Sequence, residues 1–217
     1  MSKEIPEFVR VPASTVRDEM VTYSVRYGAK NFIETGTHYG DTCCHMAATK
    51  YFENIFSVEL SKTCCDFLEK DFPRLTKSIG VDVSKVRFWK GDSANLLPEM
   101  ISLVDDRCIF WLDAHISGGV TVCAEDYETP IMTELNIISS HSIKDHVIII
   151  DDIKGCFDSH PAWPDIDEVI AAIKSINPDY LITIKYGILF AEVPNSAPKP
   201  LHNGIPNGPI TVLEHKK

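Results

Sequence analysis

The 217-residue chain has no apolar run long enough to cross a bilayer. Its longest runs, such as residues 146–150, are strand-sized, against the roughly 20 residues that a spanning helix needs. It is also poor in positive charge. Lys and Arg number 21 against 31 Asp and Glu, a formal charge of −10, and no local basic patch offsets it. Such a surface repels nucleic-acid phosphates and anionic lipid, so neither nucleic acid nor membrane is expected as a partner. No CxxC occurs. The seven cysteines are an odd number and include the adjacent pairs Cys43–Cys44 and Cys64–Cys65, where a disulfide between neighbours would be strained. Reduced core or helix thiols are expected instead. The opening MSKEIPEFVR is charged and lacks the apolar stretch of a secretion signal, which together with the thiols predicts a cytoplasmic location. The dinucleotide fingerprint GxGxxG is missing, and so are internal repeats and Gly/Ser linkers.

The chain is 44% apolar and 24% charged, the balance of a folded globule, and its length suits one α/β domain. Residues 1–30 read as a lead-in, 31–193 as the core and 194–217, rich in Pro, Asn and Gly, as an extension. Short β-branched runs at 31–35, 54–59, 86–90, 108–113 and 146–151 are predicted as strands. Helix-like stretches at 42–51, 62–72, 93–104, 130–140 and 165–176 follow them in turn, with Thr129 as a plausible cap before Pro130. This alternation is the mark of βαβ units and a mostly parallel sheet. Two further runs, 180–186 and 188–194, separated by Gly187, predict an antiparallel C-terminal hairpin at the sheet edge.

Ligands of open α/β sheets bind beyond the carboxyl ends of the strands, and acids stand at five of these ends. In FIETGTHYGDT the acid Glu34 is followed by Thr35, Gly36, Thr37, His38, Tyr39, Gly40, Asp41 and Thr42. Gly36 lets the backbone leave the strand sharply, a side chain there would occupy the ligand's space, Gly40 lets the next helix pack close, and the turn's amides would face a ligand. The structural alternative is a strand-to-helix turn with no ligand. Glu59, at the end of the second strand, can accept both hydroxyls of a ribose or cap the next helix. In WKGDSANLLPEM, Asp92 can accept from an adenine amino group and Ser93 can flank the ring, the alternative again being a helix cap.

In this order and spacing the residues from about 31 to 193 resemble the class I S-adenosylmethionine-dependent methyltransferases. The likeness is to relatives with an ETGT-like first motif, a GDS turn and an LDAH–SGG segment followed by ETP. It departs from the ExGxGxG motif in placing His38 where the middle glycine stands. The resemblance implies a Rossmann-like fold, S-adenosylmethionine bound along residues 34–42, Glu59, Asp92, Ser93 and Asp113, and transfer of a methyl group to a small-molecule acceptor.

Asp113 ends the fourth strand and Asp151 and Asp152 the fifth. Three unpaired carboxylates repel one another, so a hard cation such as Mg²⁺ is their natural partner. The set is similar to the divalent-metal site of sugar and catechol O-methyltransferases, which implies O-methylation with the acceptor oxygen on the metal. His115, two residues after Asp113, is the candidate base, because an imidazole ordinarily titrates near neutrality. Gly118 and Gly119 suggest a flap reaching through Asp126 to Thr129. His141, His146, His160, His202 and His215 have no comparable setting and read as surface residues. A metal-independent enzyme using His115 and Asp113, a catalytically silent cofactor-binding protein and, more remotely, a dehydrogenase are the rivals. The acceptor and the oligomeric state, a homo-oligomer included, are left open.

Overall fold

The computed structural model describes residues 13–115, 129–153, 157 and 163–194. In chain order these form α1 (Ala13–Tyr27), β1 (Asn31–Thr35), α2 (Asp41–Ala48), β2 (Asn54–Glu59), α3 (Lys62–Lys70), α4 (Phe72–Ser78) and β3 (Val86–Lys90). Then follow α5 (Ser93–Ser102), β4 (Cys108–Leu112), α6 (Ile131–Ser140), β5 (Val147–Ile150), α7 (Ile166–Ile176), β6 (Leu181–Lys185) and β7 (Ile188–Glu192). The strands make one seven-stranded sheet in the order β3-β2-β1-β4-β5-β7-β6, parallel except where β7 joins β5 and β6. It is a Rossmann-like sheet whose strand order reverses between β1 and β4.

The apolar runs are strands because both faces of the sheet are covered. All five residues of β1 and of β4 are buried. Ile33, Phe110, Leu112, Ile148 and Ile150 pack with Leu97 of α5, Leu135 of α6 and Ile173 of α7. On the other face Phe32, Ile109, Trp111 and Ile149 pack with Met20 and Tyr27 of α1, Met46 of α2 and Leu68 of α3. In the β6–β7 hairpin, Tyr186 and Gly187 take φ of 60° and 79°, as a two-residue type I′ turn requires. β6, not β7, is the sheet edge.

Some boundaries differ from expectation. The predicted helix 62–72 is two: Asp71 serves as C-cap of α3 and N-cap of α4, whose first turn holds Pro73. Pro130, not Thr129, caps α6, and it forms no side-chain cap bond. Asp165 caps α7 in a capping box with Glu168. Among the described residues no helix is long and apolar enough to cross a membrane.

Candidate active site

Thr35, Leu112 and Ile150 lie abreast at the carboxyl ends of β1, β4 and β5. The ladder runs one residue further: the Asp113 amide donates to Thr35 O at 3.0 Å and the Asp151 amide to Leu112 O at 3.1 Å. Gly36, Asp113 and Asp151 therefore leave the sheet side by side at the point where strand order reverses.

Gly36 turns the chain there with φ of 82°, and a Cβ on it would lie 2.4 Å from the Asp113 carbonyl oxygen. The space expected for a ligand is filled by the neighbouring strand. Gly40, φ 81°, lets Phe72 approach; a Cβ would meet its ring at 2.6 Å. The turn's amides are also tied to β2 rather than left free. Gly36 and Thr37 donate to Val58 O at 3.0 and 3.3 Å, and His38 to Glu59 Oε2 at 2.6 Å. Glu59 Oε1 accepts from the Ser61 amide at 2.7 Å, so this carboxylate joins the turn to the start of α3. His38, at φ 52°, is exposed and lies tilted against Tyr39, whose ring makes an edge contact with Phe67. Thr37 Oγ1 pairs with Ser57 Oγ at 2.6 Å, while Asp41 is exposed and Thr42 half-buried in the first turn of α2.

Glu34 lies beneath the turn, accepting from Ser57 Oγ at 2.7 Å and Cys43 Sγ at 3.0 Å. Burial pushes its carboxyl up to about 7, against the opposing pull of Ser57, Cys43 and Thr42. Asp92 caps α5, accepting from the Ala94 amide at 3.0 Å. Beside it, Ser93 Oγ, Thr35 Oγ1 and Glu134 Oε1 are buried without a completed hydrogen bond. Burial raises the Glu134 carboxyl to about 7 as well; the Ser93 and Thr35 hydroxyls lie near enough to pull it back in part.

His115 stands between two acids, its Nδ1 3.5 Å from Asp113 Oδ1 and its Nε2 2.9 Å from Asp152 Oδ2, with its ring edge-on to Trp163. Asp151 Oδ1 is held by the Asp152 amide at 2.8 Å. Burial, with Asp151, Glu34 and Asp152 nearby, raises the Asp113 carboxyl well above the usual range. Its side chain is still 31% exposed, so water screens part of that repulsion. Asp151 is pushed up to about 6 by burial and by Asp152, whereas Asp152 is lowered by its bond to His115. The three carboxylates expected to hold a cation do gather at one corner. An imidazole, however, occupies the space between Asp113 and Asp152, and among the described residues no three His, Cys, Asp or Glu side chains are placed to hold a metal ion.

No protein-family model and no curated protein matches the sequence. Solved structures do. An O-methyltransferase from Bacillus cereus in complex with SAH superposes with a TM-score of 0.56 at 14% identity, over 85% of this chain and 83% of that one. TomG, the Streptomyces achromogenes O-methyltransferase of tomaymycin synthesis, in complex with SAM, gives 0.54 at 16% over 88% and 83%. A Clostridium thermocellum protein described as an rRNA methylase gives 0.56 at 11% over 86% and 99%. The chain has the class I methyltransferase fold.

Within this fold the residues singled out in the sequence stand at the ends of β1 to β5, where its topology places ligands. Gly118, Gly119 and Asp126 of the expected flap, and His160, His202 and His215, lie outside the described residues. His146 does not lie on the surface: it is fully buried just before β5, and His141 beside it is half-buried. Glu134 was not anticipated. Its signal was a charged residue on a helix stripe otherwise made of Ile131, Leu135 and Ile138.

Proposed function

We propose that the protein is an S-adenosylmethionine-dependent methyltransferase acting on an oxygen of a small polar acceptor. The observation that carries this reading is His115, 8% exposed and set between Asp113 and Asp152 where β1, β4 and β5 end. A structural histidine needs no two carboxylates at an open strand end. The neighbours solved with SAH and SAM support the choice of cofactor. So do Ser93 Oγ, buried without a partner, and the acids Glu59 and Asp92 at the next two strand ends. These residues and the turn 34–42 would hold the cofactor, which supplies an electrophilic methyl group on a positively charged sulfur.

The chain's own part is to orient the acceptor and take its proton. The acceptor hydroxyl replaces the half-exposed Asp152 at His115 Nε2 and transfers its proton there. Asp113, beside Nδ1, stabilises the resulting imidazolium. The fold alone does not choose the acceptor, since rRNA methylases share it; the charge of −10 favours a small molecule over nucleic acid. A second reading, a divalent cation such as Mg²⁺ at Asp113, Asp151 and Asp152, is favoured by the crowding that raises Asp113 and Asp151. It requires His115 to leave the gap between the acids. The free thiols of Cys43, Cys44, Cys64, Cys65 and Cys108 support a cytoplasmic setting.

The test is calorimetry with S-adenosylmethionine and its demethylated product, followed by transfer assays with and without chelator. Micromolar binding and chelator-resistant transfer are expected. Chelator-sensitive transfer would establish the second reading, and no binding of either compound would end both.

A further inference from the structure

Glu134 is 1% exposed, and its Oε1 has no hydrogen-bond partner. It lines a recess of about 10 Å³, which Asp151 also lines, with His115, Ile150, Phe157 and Trp163 among the other walls. That is room for about one water-sized group. A buried carboxylate needs a proton, a cation or donors beside it. The nearby Thr35 and Ser93 hydroxyls make no hydrogen bond to that oxygen. His115 is already engaged by Asp113 and Asp152 through its two ring nitrogens.

The walls select among cations. An anion is excluded by two acids. A hard divalent ion asks for six or more oxygen ligands, and among the described residues only Thr129, Glu134 and Asp151 bring a side-chain oxygen to these walls. A primary ammonium is water-sized and carries three donors. It would satisfy Glu134 and Asp151 together while its carbon chain lies against Ile150, and the rings of Phe157 and Trp163 suit its charge. The chain's charge of −10 draws such ligands in. We infer that this recess binds a primary ammonium group, so that the acceptor is an amine-bearing alcohol whose ammonium seats between Glu134 and Asp151 and whose hydroxyl faces His115. The second half of that statement rests on the methyltransferase reading; the ammonium site does not.

The test is thermal melting of the whole chain in methylammonium chloride, tetramethylammonium chloride and sodium chloride at equal ionic strength, with binding of the demethylated cofactor measured on the same samples. Methylammonium at roughly five times its dissociation constant should raise the melting temperature by about 2–4 °C. Tetramethylammonium, too large for the recess, should match sodium. Glu134→Gln should abolish the rise and keep cofactor binding; Asp151→Asn serves if that variant does not fold. No rise in the wild type, an equal rise with tetramethylammonium, or a rise retained in the variants overturns the site. A selective rise without cofactor binding would sink the methyltransferase reading and leave the ammonium site standing. Cofactor binding without the rise would do the reverse.

Discussion

At the amino ends of β4 and β5, His146 is fully buried and both its ring nitrogens are engaged. Its Nδ1 accepts from the Cys108 amide at 3.0 Å, so Nε2 carries the proton and donates to His141 Nδ1 at 3.0 Å, leaving His141 Nε2–H for Val104 O at 3.2 Å. Tyr180 donates to His146 O at 2.8 Å, and Arg107, although its Nε is unpartnered, bonds Tyr27 O at 2.7 Å and pairs with Asp145. Toward the carboxyl end of the sheet, Thr35, Ser93 and Glu134 are buried with bonding capacity left over, and Glu34, Asp113, Glu134 and Asp151 all have raised carboxyl pKa values. Buried polar groups are normally satisfied within the protein. One end of the sheet follows that rule closely; the other departs from it where the strand order reverses, which is where a ligand would complete the bonding.

Four substitutions or conditions probe the contrast. The largest effect is expected at the carboxyl end: His115→Asn should lower methyl transfer by about 10²–10⁴-fold, the usual worth of a general base, with little change in melting temperature. A variant that melts far lower while retaining its rate per folded molecule would make His115 a fold residue. At the amino end the outcome inverts. His146→Ala should cost about 3 kcal/mol of stability, since it opens a cavity and orphans the Cys108 amide, and should leave cofactor affinity unchanged. Denaturant unfolding measures it, and a loss under about 1 kcal/mol would show that the relay is incidental.

Gly36→Ala should cost about 2 kcal/mol, because the added Cβ combines left-handed strain with a clash against the Asp113 carbonyl. Unchanged stability with weakened cofactor binding would restore the view that this space belongs to the ligand. The smallest effect is in the pH dependence. Carboxyls raised to about 7 at Glu34 and Glu134 stabilise the fold fully below their unfolded value of 4.5 and lose that contribution as pH rises through about 7. His146, lowered to about 3, acts oppositely: its contribution is present above its unfolded value of 6.5 and is lost as pH falls toward 3. Glu134→Gln should therefore flatten the decline between pH 4.5 and 7 by roughly 1–2 kcal/mol, one pKa unit being about 1.4 kcal/mol. An unaltered slope would mean that the side chain is not buried as an acid.

Periodicity made the sheet legible. β1, β2 and β3 begin and end where their β-branched and aromatic runs do, and the hairpin turns at Gly187. The split of α3 from α4 was hidden because Asp71 caps both helices without a glycine between them. At the site, sequence order brought out the acids at the strand ends but not how each is used. Glu59, Asp92 and Gly36 hold backbone in place at those ends, a matter of which amide or carbonyl lies within reach after folding. Nor does a string of residues reveal that His115, next to Asp113, also meets Asp152, 37 positions further on, or that His146 is interior. A lone histidine beside an apolar run looks alike in both settings.

The packing of α1 on the hairpin bears on how the molecule is made. Tyr27 and Arg26 reach Glu192, Lys185 reaches Glu19, and Tyr23 stacks on Phe190 at 5.5 Å, contacts spanning 165 positions of chain or more. Until β7 is synthesised, one flank of α1 has nothing to rest on and β5 has an open edge. The five parallel strands can pair as they emerge, but closure waits for the final strand. Contacts so distant in sequence are the slow part of folding. Loss of the hairpin would thus leave an exposed strand edge and a half-docked first helix, the two surfaces through which unfinished chains associate.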